Sequence, residues 1–270
     1  MPQVPRSLIA IDLDGTILDR SLRVSALDLE ALFLAREAGM AISLLSGRTL
    51  CSMQKYVRAF AAEDICSSDG GALIFHPQTF EILHAEPMPK AMAQPILDHV
   101  RGMPVNVSVT EDDGIHFFEQ DPQTQWLHFR DKNCGYFNDE SILYGLDRNP
   151  WKMILVGKGE VLSQLQDDLA GQHPHLVFSR TDERALEVNL ATANKGTALL
   201  WIADRLGIPA ENTIAIGDSG NDIEMLKAAR VGVAMGNAHD SVKAVADVIA
   251  PSVADSGVAW VIEQLLSGQL

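Results

Sequence analysis

The run IAIDLDGTILD, residues 9–19, decides the fold: a short apolar stretch meets two aspartates, Asp12 and Asp14, with Gly15 and Thr16 behind them. The uninterrupted apolar residues predict a strand buried on both faces, as in the middle of a parallel sheet. In a doubly wound sheet, ligands bind beyond the carboxyl ends of the strands. The two aspartates stand at that place. Two positions apart on extended backbone, they project to the same side. Converging carboxylates repel unless a cation or a proton stands between them, and a hard divalent ion with oxygen ligands suits the pair. Taken alone, the stretch is equally compatible with a turn whose carboxylates cap backbone amides.

Outward from this strand the chain keeps a β-α-β-α rhythm. A periodic run over SALDLEALFLAREAG, closed by Gly39, leads to the strand MAISLLSG and a second amphipathic run over LCSMQKYVRAFAA. The last third repeats it: a helix over KGTALLWIADRLG, strand and turn in NTIAIGDSG, a helix over DIEMLKAAR, the strand VGVAM, a helix over VKAVAD and the strand DVIAP. The middle reads differently, with hairpins (GALIF with EILHA, VNVSVT with IHFFE across EDDG), a helix from Lys90 to Arg101, a polar stretch over 131–149, then WKMILVG, a helix over GEVLSQLQDDLAG, HLVFS and RALEVNL. The expectation is an α/β fold, a Rossmann-like doubly wound parallel sheet formed by residues 1–84 and 188–270, with an α+β cap domain inserted at 85–187.

Composition narrows the function. The 270 residues are 47% hydrophobic and carry a formal charge of -15. That charge argues against nucleic acid and against anionic membrane surfaces, both of which need a basic face. No apolar stretch reaches the length of a membrane span and the N-terminus lacks the order of a signal peptide, so a soluble, cytoplasmic protein is expected, as monomer or homodimer. Cys51, Cys66 and Cys134 are odd in number, widely spaced and outside any CxxC pattern. They are expected to be reduced, without a disulfide framework or a thiolate zinc site.

Other strand ends carry chemistry too. SLLSGR places Ser46, Gly47 and Arg48 after the second strand, IAIGDSGNDIEM places Asp218, Asn221 and Asp222 after a later one, and Lys195 opens the helix NKGTALL. Individually, Ser46 and Asn194 could cap helices and Arg48 and Lys195 could be solvated charges. Together they bring acids, a hydroxyl, an amide and cations from four segments to one edge.

DLDGT at 12–16, SGR at 46–48, the lysine of NKG at 195 and GDSGND at 217–222 resemble, in this order, the motifs of the haloacid dehalogenase superfamily. The spacing and the tail VGVAMGNA resemble its Cof-type sugar-phosphatase branch, in which a large cap (type C2) lies between the second and third motifs. The resemblance implies a Mg2+-dependent phosphatase that hydrolyses small-molecule phosphate esters, such as sugar phosphates, pyridoxal phosphate or flavin mononucleotide, through an aspartyl-phosphate. Asp12 would be the nucleophile and Asp14 the general acid and base. Asp12, the Asp14 carbonyl, Asp218 and Asp222 would hold Mg2+. Thr16, Ser46, Gly47, Arg48, Lys195 and Asn221 would bind phosphoryl oxygens. One departure stands out: the branch often carries Asn-Gly-Ala where this chain has Gly70-Gly71-Ala72. In the cap, His116, Lys152 and Arg184 are candidates for touching the leaving group, while Phe117 and Trp126 read as packing. A phosphomutase of the same superfamily, or a receiver-like regulator that is no enzyme, are the alternative readings, although receivers are shorter and have no cap.

Overall fold

The computed structural model describes residues 7–60, 62, 64–112, 114–118, 124, 125 and 134–270. In chain order the elements are β1 (Leu8–Ile11), α1 (Ala26–Glu37), β2 (Ala41–Leu44), α2 (Leu50–Ala59), β3 (Cys66–Ser68), β4 (Leu73–Phe75), β5 (Ile82–Ala85), α3 (Lys90–Val100), β6 (Val105–Glu111), β7 (Gly114–Phe117), β8 (Tyr136–Asn138), β9 (Lys152–Gly157) and α4 (Gly159–Ala170). They continue with β10 (Leu176–Asp182), β11 (Ala185–Leu190), α5 (Lys195–Arg205), β12 (Thr213–Gly217), α6 (Ile223–Ala228), β13 (Val231–Ala234), α7 (Asp240–Lys243), β14 (Val248–Ile249) and α8 (Gly257–Leu266). Trp126 lies outside the described residues.

β1 is central in a parallel sheet of order β14-β13-β12-β1-β2. Its alternate residues explain the unbroken apolar run. Ile9 and Ile11 enter one core with Leu32 of α1 and Val258 and Val261 of α8, whereas Leu8 and Ala10 enter another with Leu199 and Ile202 of α5. Both faces are therefore covered, and each buried Leu or Ile side chain contributes about 1.5–3 kcal/mol.

A second sheet, of order β10-β11-β9-β6-β7-β8, is antiparallel except for the β7–β8 pair. One face packs on α3 and α4 through Val107, Val109, Met153, Leu155, Leu186 and Val188. The period of two then turns Lys152, Glu187 and Asn189 to the other face, together with Ile154 and Ala185. The expected boundary between residues 187 and 188 falls inside β11. β3, β4 and β5 form a small antiparallel sheet, tied to the end of β2 by the bridge Leu45–Ser67.

The cysteine expectation needs correction. Cys51, in the first turn of α2, is disulfide-bonded to Cys134, just before β8, and Cys66 alone is a free, buried thiol. Burial pushes the Cys66 thiol up to about 12. Sequence spacing hid the pair because its two halves are 83 residues apart and meet only once the second sheet sits over α2. Unreduced, denatured protein is expected to show one reactive thiol, and reduced protein three. Because the bond closes so long a loop, reduction should lower the unfolding free energy by up to about 4 kcal/mol.

Candidate active site

Three loops, leaving the carboxyl ends of β1, β2 and β12, converge beside the N-terminus of α5. The β1 loop is held in the sheet by the Asp12 amide, which donates to the Ile216 carbonyl at 3.0 Å, and turns tightly on the Leu13 carbonyl, which accepts from Ile17 and Leu18. Gly15 sits at φ +85, and a Cβ there would come within 2.2 Å of Asp218 Oδ2. Only glycine fits a positive φ pressed against a carboxylate. Asn237 also grips this turn, donating to the Gly15 carbonyl at 2.8 Å and to Asp218 Oδ2 at 3.3 Å.

Asp12 is 4% exposed. Lys195 Nζ bridges it to Asp222, at 2.5 Å from Asp12 Oδ1 and 2.6 Å from Asp222 Oδ1. The capping box of α5 fixes that lysine: Asn194 accepts from the Gly196 and Thr197 amides at 2.8 and 3.0 Å. Asp222 Oδ2 is occupied as well, accepting from the Asp218 and Ser219 amides at 3.0 and 2.9 Å. Asp222 thus shapes the loop that carries Asp218, while Thr16 donates its hydroxyl to Asp218 Oδ1 at 3.2 Å. Carboxylate oxygens of Asp12, Asp218 and Asp222 lie within 4.8 Å of one another. An all-oxygen set on a glycine-lined turn fits a hard divalent cation.

Asp14, in contrast, is partly exposed and held by Arg48. The guanidinium donates two parallel bonds, Nε to Oδ2 at 2.7 Å and Nη2 to Oδ1 at 2.6 Å. Arg48 is itself fully buried, donating from Nη1 to Ser52 Oγ at 3.1 Å and lying over the Tyr56 ring at 4.8 Å. The Arg48 guanidinium thus clamps an acid, a bidentate geometry that fixes carboxylate orientation. Ser46 lies in the same loop and accepts from the Arg48 amide at 3.1 Å, while Thr49 caps α2.

The electrostatics follow from this crowding. Burial, then the Asp222 charge, raises the Asp12 carboxyl well above its ordinary range despite Lys195. Burial, then Asp222, likewise pushes Asp218 up to about 7. Burial alone would lower the Lys195 ammonium, but Asp12 and Asp222 outweigh it and hold it above its usual value. A carboxyl whose pKa is raised on folding holds protons that the unfolded chain has released, so both groups cost stability as pH climbs above the ordinary carboxylate range, Asp218 through about 7. A divalent cation binds the ionised forms, so the rise in unfolding temperature on adding Mg2+ should be small at about pH 5 and larger at about pH 8. A pH-independent shift would contradict this ligand set.

Of the other candidates, Lys152 reaches the site. It is fully buried, donates to the Gly47 carbonyl and pairs with Glu187 Oε1 at 3.3 Å. Asn221 donates to Glu187 Oε2 at 3.4 Å. His116 stacks on Phe137 and pairs in register with Val109, on the helix-covered face of the second sheet, opposite Lys152. Arg184 lies exposed in the turn between β10 and β11. The residue pattern did not mark Glu187, Asn189 or Asn237. Asn189 accounts for Gly70: a Cβ there, at φ +73, would lie 2.9 Å from Asn189 Nδ2, which donates to the Asp69 carbonyl at 3.1 Å. An amide from β11 therefore occupies the space beside position 70.

Known proteins share this architecture. The family model for haloacid dehalogenase-like hydrolases matches residues 9–262. The pyridoxal phosphate phosphatase YbhA of Escherichia coli is 30% identical over 274 residues, spanning 96% of this chain and 98% of its own. The 5-amino-6-(5-phospho-D-ribitylamino)uracil phosphatase YwtE of Bacillus subtilis is 28% identical over 288 residues, spanning 97% and 98%. A solved haloacid dehalogenase-like hydrolase from B. subtilis superposes with a TM-score of 0.85 at 27% identity, covering 96% of this chain and 99% of that one.

Proposed function

The chain belongs to the haloacid dehalogenase-like hydrolases and is an enzyme of the phosphatase kind, and we propose that it hydrolyses small-molecule phosphate monoesters with Mg2+ through a phosphorylated Asp12. The observation that carries this reading is the pairing of two aspartates in unlike settings: Asp12 buried against Lys195, Asp14 at the surface in the grip of Arg48. Buried beside a cation, Asp12 suits a nucleophile fixed in one place, whereas the partly exposed Asp14 carboxyl can exchange protons with solvent.

Asp12 attacks phosphorus in line with the leaving oxygen, and the phosphorus–oxygen bond to the alcohol breaks as Asp14 gives that oxygen its proton. Water then attacks the same phosphorus, Asp14 takes its proton, and the bond to Asp12 breaks, releasing phosphate. Lys195 holds Asp12 in place and offsets charge as the phosphoryl group arrives. Ser46, the Gly47 and Arg48 amides, Thr16 and Asn221 line the phosphoryl side. Asp12, the Asp14 carbonyl and Asp218 would hold Mg2+, with Asp222 organising their loop, and the bound ion would supply positive charge against the phosphoryl oxygens. The segment 85–187 acts as a cap that excludes water and selects the leaving group.

Sugar phosphates and cofactor phosphates such as pyridoxal phosphate are the substrate classes this reading favours. Activity as monomer or homodimer in the cytoplasm completes it. A panel of phosphate esters with Mg2+, read as released phosphate, tests it: turnover of some esters is expected, abolished by chelation and restored by Mg2+. Isomerised ester without phosphate release would make it a mutase, and full turnover in excess chelator would remove the metal from the account.

A further inference from the structure

Lys152 is an expensive residue to bury, and its placement says what it is for. Lys152 and Glu187 are 0% and 1% exposed. Removing both charges from water costs several kcal/mol per ion, so such a pair gives little stability over apolar packing. What it gives is position. β9 and β11 deliver the two side chains from the sheet face opposite α3 and α4, onto two loops of the other sheet. Lys152 donates to the Gly47 carbonyl, and Glu187 accepts from Asn221 in the Asp218–Asp222 loop.

In a trans peptide the carbonyl and the next amide point in opposite directions. Pinning the Gly47 carbonyl therefore aims the Arg48 amide away from β9, where it meets Ser46 Oγ at 3.1 Å. The following peptide is held too: the Arg48 carbonyl accepts from the Asp69 amide at 2.7 Å, and the Asp69 carbonyl accepts from Asn189 of β11 at 3.1 Å. Both peptides flanking Arg48 are thus fixed by the second sheet, directly or through one residue. Arg48 in turn holds both oxygens of Asp14.

We propose that Lys152, braced by Glu187, is a positioning residue that couples seating of the cap to placement of Asp14 through the Gly47–Arg48 peptide. The proposal rests on reading Asp14 as the general acid and base. It fixes the place and orientation of the Asp14 carboxyl only when the cap is seated.

Lys152→Met alone removes the ammonium beside the buried Glu187 carboxylate and risks misfolding. The test therefore uses Lys152→Met combined with Glu187→Gln, checked for native unfolding temperature, beside Asp14→Asn. Two esters are compared: an alkyl phosphate, whose leaving oxygen needs a proton, and p-nitrophenyl phosphate, whose leaving group does not. In the double variant the burst of p-nitrophenol slows too, because Gly47 and Asn221 also line the phosphoryl side, but alkyl phosphate turnover should fall about 10-fold or more beyond it, a part of what a general acid contributes. A merely structural role would slow the burst equally, and that result, or no loss on either ester, overturns the proposal. If Asp14→Asn shows the split between esters and the double variant does not, the positioning role fails alone. If Asp14→Asn shows no split, the acid assignment itself fails.

Discussion

Asp12→Asn should abolish turnover, by about ten-thousand-fold or more, and still give a metal-free protein at least as stable as the parent. The two effects have one cause. Asp12 ionised is an unfavourable group in the metal-free protein: burial and the Asp222 charge raise its pKa despite Lys195. A raised folded pKa means the carboxylate costs stability above the ordinary carboxylate range, so a neutral amide relieves that cost at neutral pH. The Asn oxygen can still accept from Lys195. Thermal unfolding in chelator near pH 8, together with phosphate release, checks both halves; a large destabilisation would mean that Asp12 serves the fold and not the chemistry. Active sites commonly trade stability for function in this way.

Lys195→Met should have the opposite stability effect. It leaves Asp12 and Asp222 facing one another without the ammonium that lies 2.5 and 2.6 Å from them. Breaking a buried ion pair by removing one partner costs about 3–5 kcal/mol. Because the penalty comes from ionised carboxylates, it should shrink as pH falls and the two groups take up protons. Turnover should drop about 100-fold or more, the size expected for a lost preorganised cation. A variant equally destabilised at all pH values would show that packing of the lysine stem, not charge, holds the cluster.

Much of this was legible in the sequence because it is local. Continuous apolar strands and 3.6-residue helical patterns marked the parallel sheet, and acids gathered at strand ends marked the site. Helix α8 was not read, because GVAWVIEQLL is short, is nearly apolar throughout and follows a left-handed Ser256 instead of an ordinary cap. What depends on long-range pairing was hidden. A guanidinium at a strand end suits a phosphate as well as an acid, so only the fold could pair Arg48 with Asp14, 34 positions away. Lys152, Glu187 and Asn189 alternate correctly for one face of a sheet, yet nothing local says that this face meets loops that follow the parallel sheet's strands. The Cys51–Cys134 bond is the same case, a contact between segments that spacing arithmetic treats as unrelated.

The central claim is that Asp12 carries the phosphoryl group and Asp14 moves the protons, and a stopped-flow experiment on Asp14→Asn tests it most directly. Without its base the variant should transfer a phosphoryl group from p-nitrophenyl phosphate and then stall. The expected result is a burst of p-nitrophenol near one equivalent, a slow steady rate after it, and a hydroxylamine-labile phosphoryl group on the peptide containing Asp12. A label on another residue, or sugar-phosphate turnover by Asp14→Asn at the parent rate, would contradict the account.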